Sequence, residues 1–478
     1  MGLSLLLTLP EILLSLVAMA LMMVAAFTGR RGAGITTWAA VALLLIATLA
    51  LIGAPSHAGP IYYGLFTADL FGAFGKAIIF PAAAVAIIAA HGWFERDAEH
   101  SAEYAVLILF SAVGMGVMVS ATSLITLYVG LELQSLAAYV LASYRRSDER
   151  SAEAGLKYFV LGALASGILL YGISLLYGFT GTMQFSGIAA AFGREAPSLG
   201  LLFGLVFVLA GIAFKASVVP FHMWTPDVYE GAPTPVTAFF ASAPKVAAVL
   251  LATRVCVDAL GPATDAWRQI MIFAALASIF LGAIAAFGQT NIKRLLAYSS
   301  INNVGFALIG LAAGNVAGAS SVLFYMAVYV VMTLGAFLCV LWMRDADGRP
   351  VEEIASLSGL SQTRPAFAAA IAMFMFSLAG IPPLFGFWPK LLVFNAAVGA
   401  GYLTLAVAGI VGTVVGAYYY LKIVKVMYFD EPAAPYARLR QPLQGALILI
   451  AALFVSPLGY LLIGPLRDIT DRAAGTLF

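Results

Sequence analysis

The sequence predicts an all-α polytopic membrane protein with about fourteen transmembrane helices. Of its 478 residues, 62% are hydrophobic and only 10% are charged, which is more apolar surface than one soluble core can bury. Apolar runs long enough to span a bilayer as helices recur from end to end. The two-residue alternation typical of a membrane β-barrel is absent. We therefore expect one transmembrane domain over residues 1–478.

The predicted helices are the apolar runs between polar breaks, taken in chain order. They cover residues 3–27, 34–54, 70–93, 104–121, 123–144, 155–178, 199–220, 236–258, 268–288, 295–313, 317–343, 366–398, 402–428 and 442–464. The first run has no basic leader and is too long for a signal peptide, so we expect it to be retained. The longest loops, 179–198 and 344–365, are too short for an enzymatic domain.

Predicted helices seven and twelve are interrupted by proline. Pro220 leaves the carbonyl of Ala216 without its helical donor, one residue after Lys215, and three prolines precede or adjoin Lys390. Inverted-repeat transporters place broken helices at matching positions in their two halves. We therefore expect two inverted five-helix repeats, helices four to eight and nine to thirteen. The expected divisions are N-terminal helices at 1–98, the first repeat at 99–260, the second at 261–430, and a C-terminal helix at 431–478.

The basic residues outside helix interiors predict the orientation. Fifteen follow odd-numbered helices: Arg30, Arg31, Arg96, Arg145, Arg146, Arg150, Lys293, Arg294, Arg344, Arg349, Arg364, Lys422, Lys425, Arg438 and Arg440. Five lie on the other side: Arg194, Arg254, Arg268, Arg467 and Arg472. The positive-inside rule makes the odd loops cytoplasmic and both termini periplasmic. The net charge of +2 gives no indication of nucleic-acid binding.

Several function classes are excluded by residue types. Cys256 and Cys339 are isolated, so the sequence has no CxxC pair and no ligand set for an iron–sulfur cluster. It also has no Rossmann glycine pattern and no phosphate-binding loop. Redox and nucleotide cofactors are therefore expected on other chains, which leaves proton or ion handling for this one.

Four charged residues lie deep in apolar runs: Glu132, Lys215, Lys245 and Lys390. A charge at the bilayer centre costs roughly 2.5–3.5 kcal/mol on insertion scales, so such residues usually face a cavity, pair with one another, or carry protons. Burial disfavours the charged form of a lysine, and an approaching carboxylate favours it. We therefore expect Glu132 to hold Lys215 protonated, and a proton to pass from there through Lys245 to Lys390.

Two further lysines allow structural interpretations. Lys157 follows Glu153 by four residues, so the two could form an interfacial salt bridge, or Lys157 could belong to the path. Lys76 is better explained as a structural charge whose side chain extends towards Asp69.

Lys293 and His222 also have two interpretations. Lys293 stands beside Arg294, as an anchor at the cytoplasmic edge would, but it could also take part in proton transfer. His222 follows the break in helix seven, where it could carry protons or only donate to a freed carbonyl. Sodium is disfavoured as the transported ion because it needs several oxygen ligands, whereas this interior offers one glutamate among amines.

Several long motifs together resemble the subunit N family of bacterial NADH:quinone oxidoreductase, respiratory complex I. The resemblance covers about residues 100–430. Its motifs are Phe214-Lys215, the run from Pro220 to Lys245 that contains Asp-Val-Tyr-Glu-Gly-Ala-Pro, Tyr128-Val-Gly-Leu-Glu132, Ala154-Gly-Leu-Lys157, Gln289-Thr-Asn-Ile-Lys293, and Ala379-Gly-Ile-Pro-Pro-Leu-Phe-Gly-Phe. The lysine at 390 also favours the N-type, since the related M-type would have glutamate there.

The resemblance implies an antiporter-like fold in a multi-pass subunit of the bacterial inner membrane. It makes Glu132 the carboxylate of helix five, Lys215 its partner, Lys245 the connecting lysine and Lys390 the group nearest the periplasmic exit. It also adds weight to Lys157, Lys293 and His222. NADH, FMN, iron–sulfur clusters and quinone would bind partner subunits. The expected neighbours are an M-type antiporter-like subunit and small membrane subunits of the K and J types, with lipid around them.

Two alternatives remain at this stage. The chain could be a subunit of a multisubunit cation/proton antiporter, or of a related membrane-bound hydrogenase or dehydrogenase. A voltage-gated channel is disfavoured because no helix carries arginine at every third position.

Overall fold

A computed structural model describes residues 2–52, 57–96, 101–194, 197–437 and 441–478. The first helices are α1 (Gly2–Leu7), α2 (Leu9–Thr28), α3 (Ala33–Ile52), α4 (Leu70–Arg96), α5 (Glu103–Ser120), α6 (Leu124–Ala142), α7 (Glu149–Thr180), α8 (Phe185–Arg194), α9 (Leu199–Ala216), α10 (Trp224–Gly231), α11 (Thr234–Phe240) and α12 (Ala243–Arg254). The remaining helices are α13 (Thr264–Phe287), α14 (Ile292–Ala312), α15 (Val316–Val340), α16 (Leu360–Thr363), α17 (Pro365–Ala379), α18 (Phe387–Gly399), α19 (Leu403–Phe429), α20 (Pro442–Val455) and α21 (Ile463–Gly475). Strands β1 (His57–Ile61) and β2 (Phe66–Asp69) pair antiparallel. The predicted helix end at 54, the division at 98–99, Arg438 and Arg440 lie outside the described residues.

The predicted all-α polytopic architecture is confirmed. Within the described residues, eleven helices or continuous helical runs are long and apolar enough to cross a membrane, or twelve if the bent pair at the C-terminal end counts as one span. The predicted count of about fourteen is higher for two reasons. Predicted helices one and two form a single run of 44 residues. Predicted helix twelve is divided into α17 and α18, which at 15 and 13 residues are each too short to be counted.

Besides helix twelve, three predicted helices are broken or end early. Predicted helix seven ends at Ala216 rather than at residue 220, because Ser217 adopts a left-handed backbone conformation with φ of 61°. Predicted helix eight is divided into α11 and α12 by a turn at Ala241 and Ser242. Predicted helix fourteen ends at Val455, where the chain bends by 66°. The hairpin β1–β2 and the short helices α8 and α10 were not predicted.

The centre of the molecule is formed by α11, α12, α14 and α15, whose residues are almost all buried. Helices α2, α3, α7 and α19 surround them and expose large apolar side chains, as expected for surfaces that face lipid. Lys215 on α9, Lys245 on α12 and Lys390 on α18 are all buried.

Helices α5 and α6 approach each other closely through Gly114. A methyl group there would lie 2.5 Å from both the backbone nitrogen of Gln134 and the backbone oxygen of Gly130. Neither backbone atom can move without shifting a whole helix. The absence of a side chain at Gly114 therefore permits the short distance between α5 and the helix that carries Glu132.

We predict opposite effects of Gly-to-Ala substitution at two helical positions. Gly167→Ala places its methyl group in open space, so the better helix propensity of alanine should leave the protein as stable or slightly more stable. Gly114→Ala should destabilise it by roughly 1–3 kcal/mol through overpacking. The thermal midpoint of the purified protein measures both. Equal midpoints for the two variants would contradict the close approach of α5 and α6.

Candidate proton-transfer site

Glu132 and the side chains that hold Lys215 all lie on α6. Ser166 of α7 donates a hydrogen bond to Oε1 of the half-buried Glu132. Nζ of Lys215, at the end of α9, donates to Ser135 Oγ at 2.6 Å and to Tyr139 OH at 3.0 Å. The direct Glu132–Lys215 ion pair that we expected is absent from the described residues. Neutral hydroxyl groups hold the ammonium group instead, on the same helix as the carboxylate.

The break after α9 creates a binding place for Lys245. Because α9 stops at Ala216, its last carbonyl groups have no helical donor. Lys245, only 1% exposed on α12, donates to the Ala216 carbonyl at 3.3 Å and to Ser217 Oγ. Thr225 donates to the same hydroxyl at 2.5 Å. The helix break beside Lys215 therefore supplies the acceptors of a different lysine, Lys245.

Aromatic rings enclose Lys245. Its Nζ lies 5.3 Å from the ring centroid of Trp224 and 5.8 Å from that of Tyr229. Trp224 is fixed by a 2.9 Å hydrogen bond to the Phe214 carbonyl and by stacking on Tyr158 at 4.3 Å. These rings stabilise a cation and exclude water from one side of it.

The second broken helix repeats this arrangement. Helix α17 ends at Ala379 because Gly380 has a φ of 81°. Nζ of Lys390, on α18, donates to the carbonyls of Leu378 at 3.1 Å and Ala379 at 2.9 Å, and lies 4.5 Å from the ring centroid of Phe306. Freed C-terminal carbonyls carry partial negative charge, so each broken helix holds a lysine from a neighbouring helix.

Two groups of hydrogen-bonded hydroxyl and amide side chains lie on α14, α15 and α19. The Tyr329 and Ser300 hydroxyls are 2.8 Å apart, Tyr325 donates to Asn303 at 2.7 Å, and Asn303 donates to Tyr420 at 3.2 Å. All five side chains are buried. We did not predict these two groups, although the polar run Ser-Ser-Ile-Asn-Asn inside an otherwise apolar helix was a visible signal.

Lys157 belongs to a charge cluster at the end of α7 predicted to be cytoplasmic. It is 42% exposed and pairs with Glu153 at 2.7 Å, as the four-residue spacing predicted, and with Asp227 at 2.8 Å. Arg294 pairs with Asp227 at 2.7 Å and with Glu230 at 3.0 Å. These residues line an open cavity of about 190 Å³. Burial alone would raise the pKa of Asp227, but hydrogen bonds from Lys157 and Arg294 lower it below the usual range.

Lys293 lies deeper than the surface anchor that we considered. It is 2% exposed, pairs with Glu352 at 2.8 Å, and also donates to the carbonyls of Glu230 and Ala232. Burial alone would raise the pKa of Glu352, but Lys293 lowers it below its usual value. Lys293 thus joins α14 to the connection after α10.

His222 is not brought into contact with the lysines. It lies half-buried in the turns between α9 and α10. Its Nδ1 is buried and makes no hydrogen bond within the part of the chain that the structure describes.

The predicted contact of Lys76 with Asp69 and the predicted loop position of Arg254 are both wrong. Lys76 does not extend to Asp69: it is 3% exposed and forms an ion pair with Glu11, a buried carboxylate that we did not single out. Asp69 instead accepts a 2.8 Å hydrogen bond from Arg254. Arg254 itself is a buried residue of α12 that also pairs with Asp258, and not the loop charge used in the orientation count.

We predict that the Lys293–Glu352 pair contributes to stability in a pH-dependent way. Because the folded pKa of Glu352 lies below its ordinary value of 4.5, this contribution is present above that pH and is lost as the pH falls through the folded pKa. Glu352→Gln leaves a buried ammonium group unpaired, so it should lower the thermal midpoint at pH 7, and the difference from the parent should shrink below pH 4.5.

The neighbouring Glu353→Gln is the matched control, because Glu353 is exposed and forms no ion pair among the described residues. It should leave the midpoint nearly unchanged at both pH values. A midpoint difference for Glu352→Gln that is the same at pH 3.5 and pH 7 would contradict the assignment.

Comparison with known proteins places this site in context. Residues 121–416 match the family described as NADH:quinone oxidoreductase/Mrp antiporter, TM. The chain is 64% identical over 473 residues to NADH-quinone oxidoreductase subunit N of Rhizorhabdus wittichii and 58% identical over 470 residues to that of Sphingopyxis alaskensis, with 98% of each chain covered in both cases.

Solved structures show the same fold. A chain of respiratory complex I from Thermus thermophilus with bound aureothin superposes with a TM-score of 0.81 at 31% identity, covering 96% of this chain and 98% of that one. A chain of the Mrp complex from Dietzia sp. superposes with a TM-score of 0.86, covering 99% of this chain and 97% of that one. Because the two sequences are only 22% identical, this similarity supports a shared fold and nothing more.

In the part of the chain that the structure describes, no group of three or more histidine, cysteine, aspartate or glutamate side chains could hold a metal ion.

Proposed function

The chain belongs to the subunit N family of NADH-quinone oxidoreductase, the proton-translocating antiporter-like membrane subunit of complex I, and we propose that protons cross it along Glu132, Lys215, Lys245 and Lys390. The observation that carries this proposal is the paired arrangement at the two helix breaks. Lys245 and Lys390 are each held by the last carbonyls of a broken helix. Carbonyl oxygens stabilise the protonated lysine through hydrogen bonds. Because they carry no net charge, no unpaired negative charge remains when the lysine loses its proton.

The proposed path has three sections. Lys215 exchanges its proton with the hydroxyls of Ser135 and Tyr139, under the influence of Glu132. Lys245 receives it through water and Ser217, beside the break. From Lys245, water and the buried hydroxyl groups of α14 and α15 carry the proton towards Lys390, from which it leaves to the periplasm. Lys157 and Lys293 are proposed to act at the cytoplasmic side, where protons enter, and His222 to assist beside the first break.

The energy for transport is proposed to come from other subunits. NADH, FMN, iron–sulfur clusters and quinone would bind there, and quinone reduction would drive the changes felt at Glu132. We place an M-type antiporter-like subunit and small subunits of the K and J types as neighbours in the membrane arm. The chain would lie in the bacterial inner membrane with both termini periplasmic.

We also propose fourteen membrane crossings in two inverted repeats, at 99–260 and 261–430, after N-terminal helices at 1–98 and before a C-terminal helix at 431–478. The run of 44 residues from Leu9 to Ile52 would be about 66 Å long as one helix, twice the thickness of a bilayer core. Helices α2 and α3 also pack against each other, which supports two crossings. The matching left-handed residues Ser217 and Gly380 support the repeats.

Removing a lysine at a helix break should stop coupled transport. We predict that Lys245→Ala and Lys390→Ala each reduce NADH-driven proton pumping and coupled quinone reduction by at least about ten-fold, because proton transfer by a positioned side chain contributes that much or more. Both activities can be measured in membrane vesicles that contain the assembled complex.

Lys422→Ala is the matched control. Lys422 also donates to a backbone carbonyl, that of Phe287 at 3.1 Å, but it lies outside the proposed path. Its replacement should leave pumping close to the parent value. Full coupled activity of Lys245→Ala in an assembled complex would refute the path.

The connecting hydroxyl groups can be tested without altering packing. Tyr329→Phe removes the hydroxyl bonded to Ser300 and keeps the ring, so pumping should fall while the complex still assembles. Tyr171→Phe, at a side chain 59% exposed on the outer surface, should have no effect. Equal pumping by both variants would exclude Tyr329 from the path.

A further inference from the structure

An open groove lies at the predicted cytoplasmic edge of the N-terminal helices, and none of its lining residues belongs to the proposed path. Its volume is about 560 Å³, and it is formed by the turn between α2 and α3, the start of α5, and the turn between α6 and α7. Its charged and apolar lining residues include Arg30, Arg145, Arg146, Glu103, Leu107 and Val140. We call this surface the arginine groove.

Two of the three arginines that line the arginine groove, Arg30 and Arg146, have no compensating partner among the described residues. Arg30 and Arg146 are exposed, and neither makes a hydrogen bond or an ion pair within the described part of the chain. The guanidinium of Arg145 lies 4.4 Å from the ring centroid of Trp93, which holds it in place. Glu103 is the one carboxylate among the described lining residues. The two exposed arginines without a partner, Arg30 and Arg146, therefore complement an anionic group.

The other cationic clusters of this molecule do not share that property. Lys157 and Arg294 are each bonded to two carboxylates, and Arg254 is bonded to Asp69 and Asp258. Their charge is already neutralised. Arg30 and Arg146 line the same groove without such a partner, and a bound anion would supply it.

One wall of the groove is apolar and reaches into the membrane. Val140 is two residues from the end of α6 and is 49% exposed, and Leu107 is one turn inside α5. At 1.5 Å per residue, Val140 and Leu107 lie about 3 and 6 Å inside the ends of their helices. A ligand that fills the groove therefore needs an anionic group at the water boundary and an apolar tail beneath it.

We propose that the arginine groove binds an anionic phospholipid of the cytoplasmic leaflet, with its phosphate between Arg30 and Arg146 and an acyl chain along Val140 and Leu107. Basic pockets between transmembrane helices on this side of a membrane are suited to such headgroups. The bound lipid would fasten the α2–α3 turn to the α6–α7 turn, and so to the helix that carries Glu132.

The test uses the assembled complex and a photoreactive phosphatidylglycerol, with cross-linked peptides mapped to the chain. Labelling should occur at the α6–α7 turn. In Arg30→Gln/Arg146→Gln, the affinity measured by competition with unlabelled phosphatidylglycerol should fall roughly thirty-fold, since each surface arginine contributes about a five-fold factor. Val140→Asn should also weaken labelling, because it makes the wall of the acyl chain polar.

The control, Arg349→Gln/Arg472→Gln, loses the same charge at exposed positions elsewhere and should keep the parent affinity. Two competitors separate the possible ligands. Phosphatidylcholine should compete poorly, and inorganic phosphate should not compete at millimolar concentration. Unchanged labelling in the Arg30/Arg146 variant, or competition by phosphatidylcholine equal to that by phosphatidylglycerol, would overturn the proposal. Full displacement by inorganic phosphate would overturn it too, by showing an anion site without a lipid.

Discussion

The structure depends on one interaction that occurs twice: a buried lysine donates to the last carbonyl groups of a broken helix. In water these carbonyls would be hydrated, but in a bilayer each unsatisfied backbone group costs several kcal/mol. Lys245 satisfies the end of α9, and Lys390 satisfies the end of α17. The break needs the lysine as a donor, and the lysine needs the break as an acceptor. Replacing either one leaves the other uncompensated inside the membrane.

The partners of each buried cation separate two kinds of charge in this molecule. Lys76 and Arg254 are paired with carboxylates. A lysine in such a pair cannot lose its proton without leaving a buried carboxylate alone, which is strongly unfavourable. Lys245 and Lys390 are held by carbonyl and hydroxyl oxygens, which remain neutral when the proton leaves. The two proposed proton carriers at the helix breaks, Lys245 and Lys390, are thus cations whose deprotonation leaves no charge behind.

Sequence reasoning located the lysines and the breaks because both have local causes. A lysine in an apolar run is visible as such, and Pro220 removes a donor from the carbonyl of Ala216, which the structure shows bound to Lys245. The identity of that donor was not predictable, because it comes from α12 and depends on tertiary packing. The same holds for the Lys76–Glu11 pair, whose members are far apart in sequence. The predicted end of helix seven at residue 220 was wrong because Ser217 adopts a left-handed backbone conformation that no sequence pattern indicates.

The two breaks differ in a way that gives the proposed path a direction. At the first break, Ser217 accepts from Lys245 and also from Thr225, so a hydroxyl that can both accept and donate a proton adjoins the amine. At the second break, Lys390 is held by backbone carbonyls alone among its hydrogen-bond partners in the described residues. Carbonyls stabilise an ammonium group but cannot pass a proton onward. On the proposed path, Lys245 is therefore suited to exchanging its proton with a neighbouring hydroxyl, and Lys390 is suited to retaining its proton. The proton can leave Lys390 only when water reaches its amine.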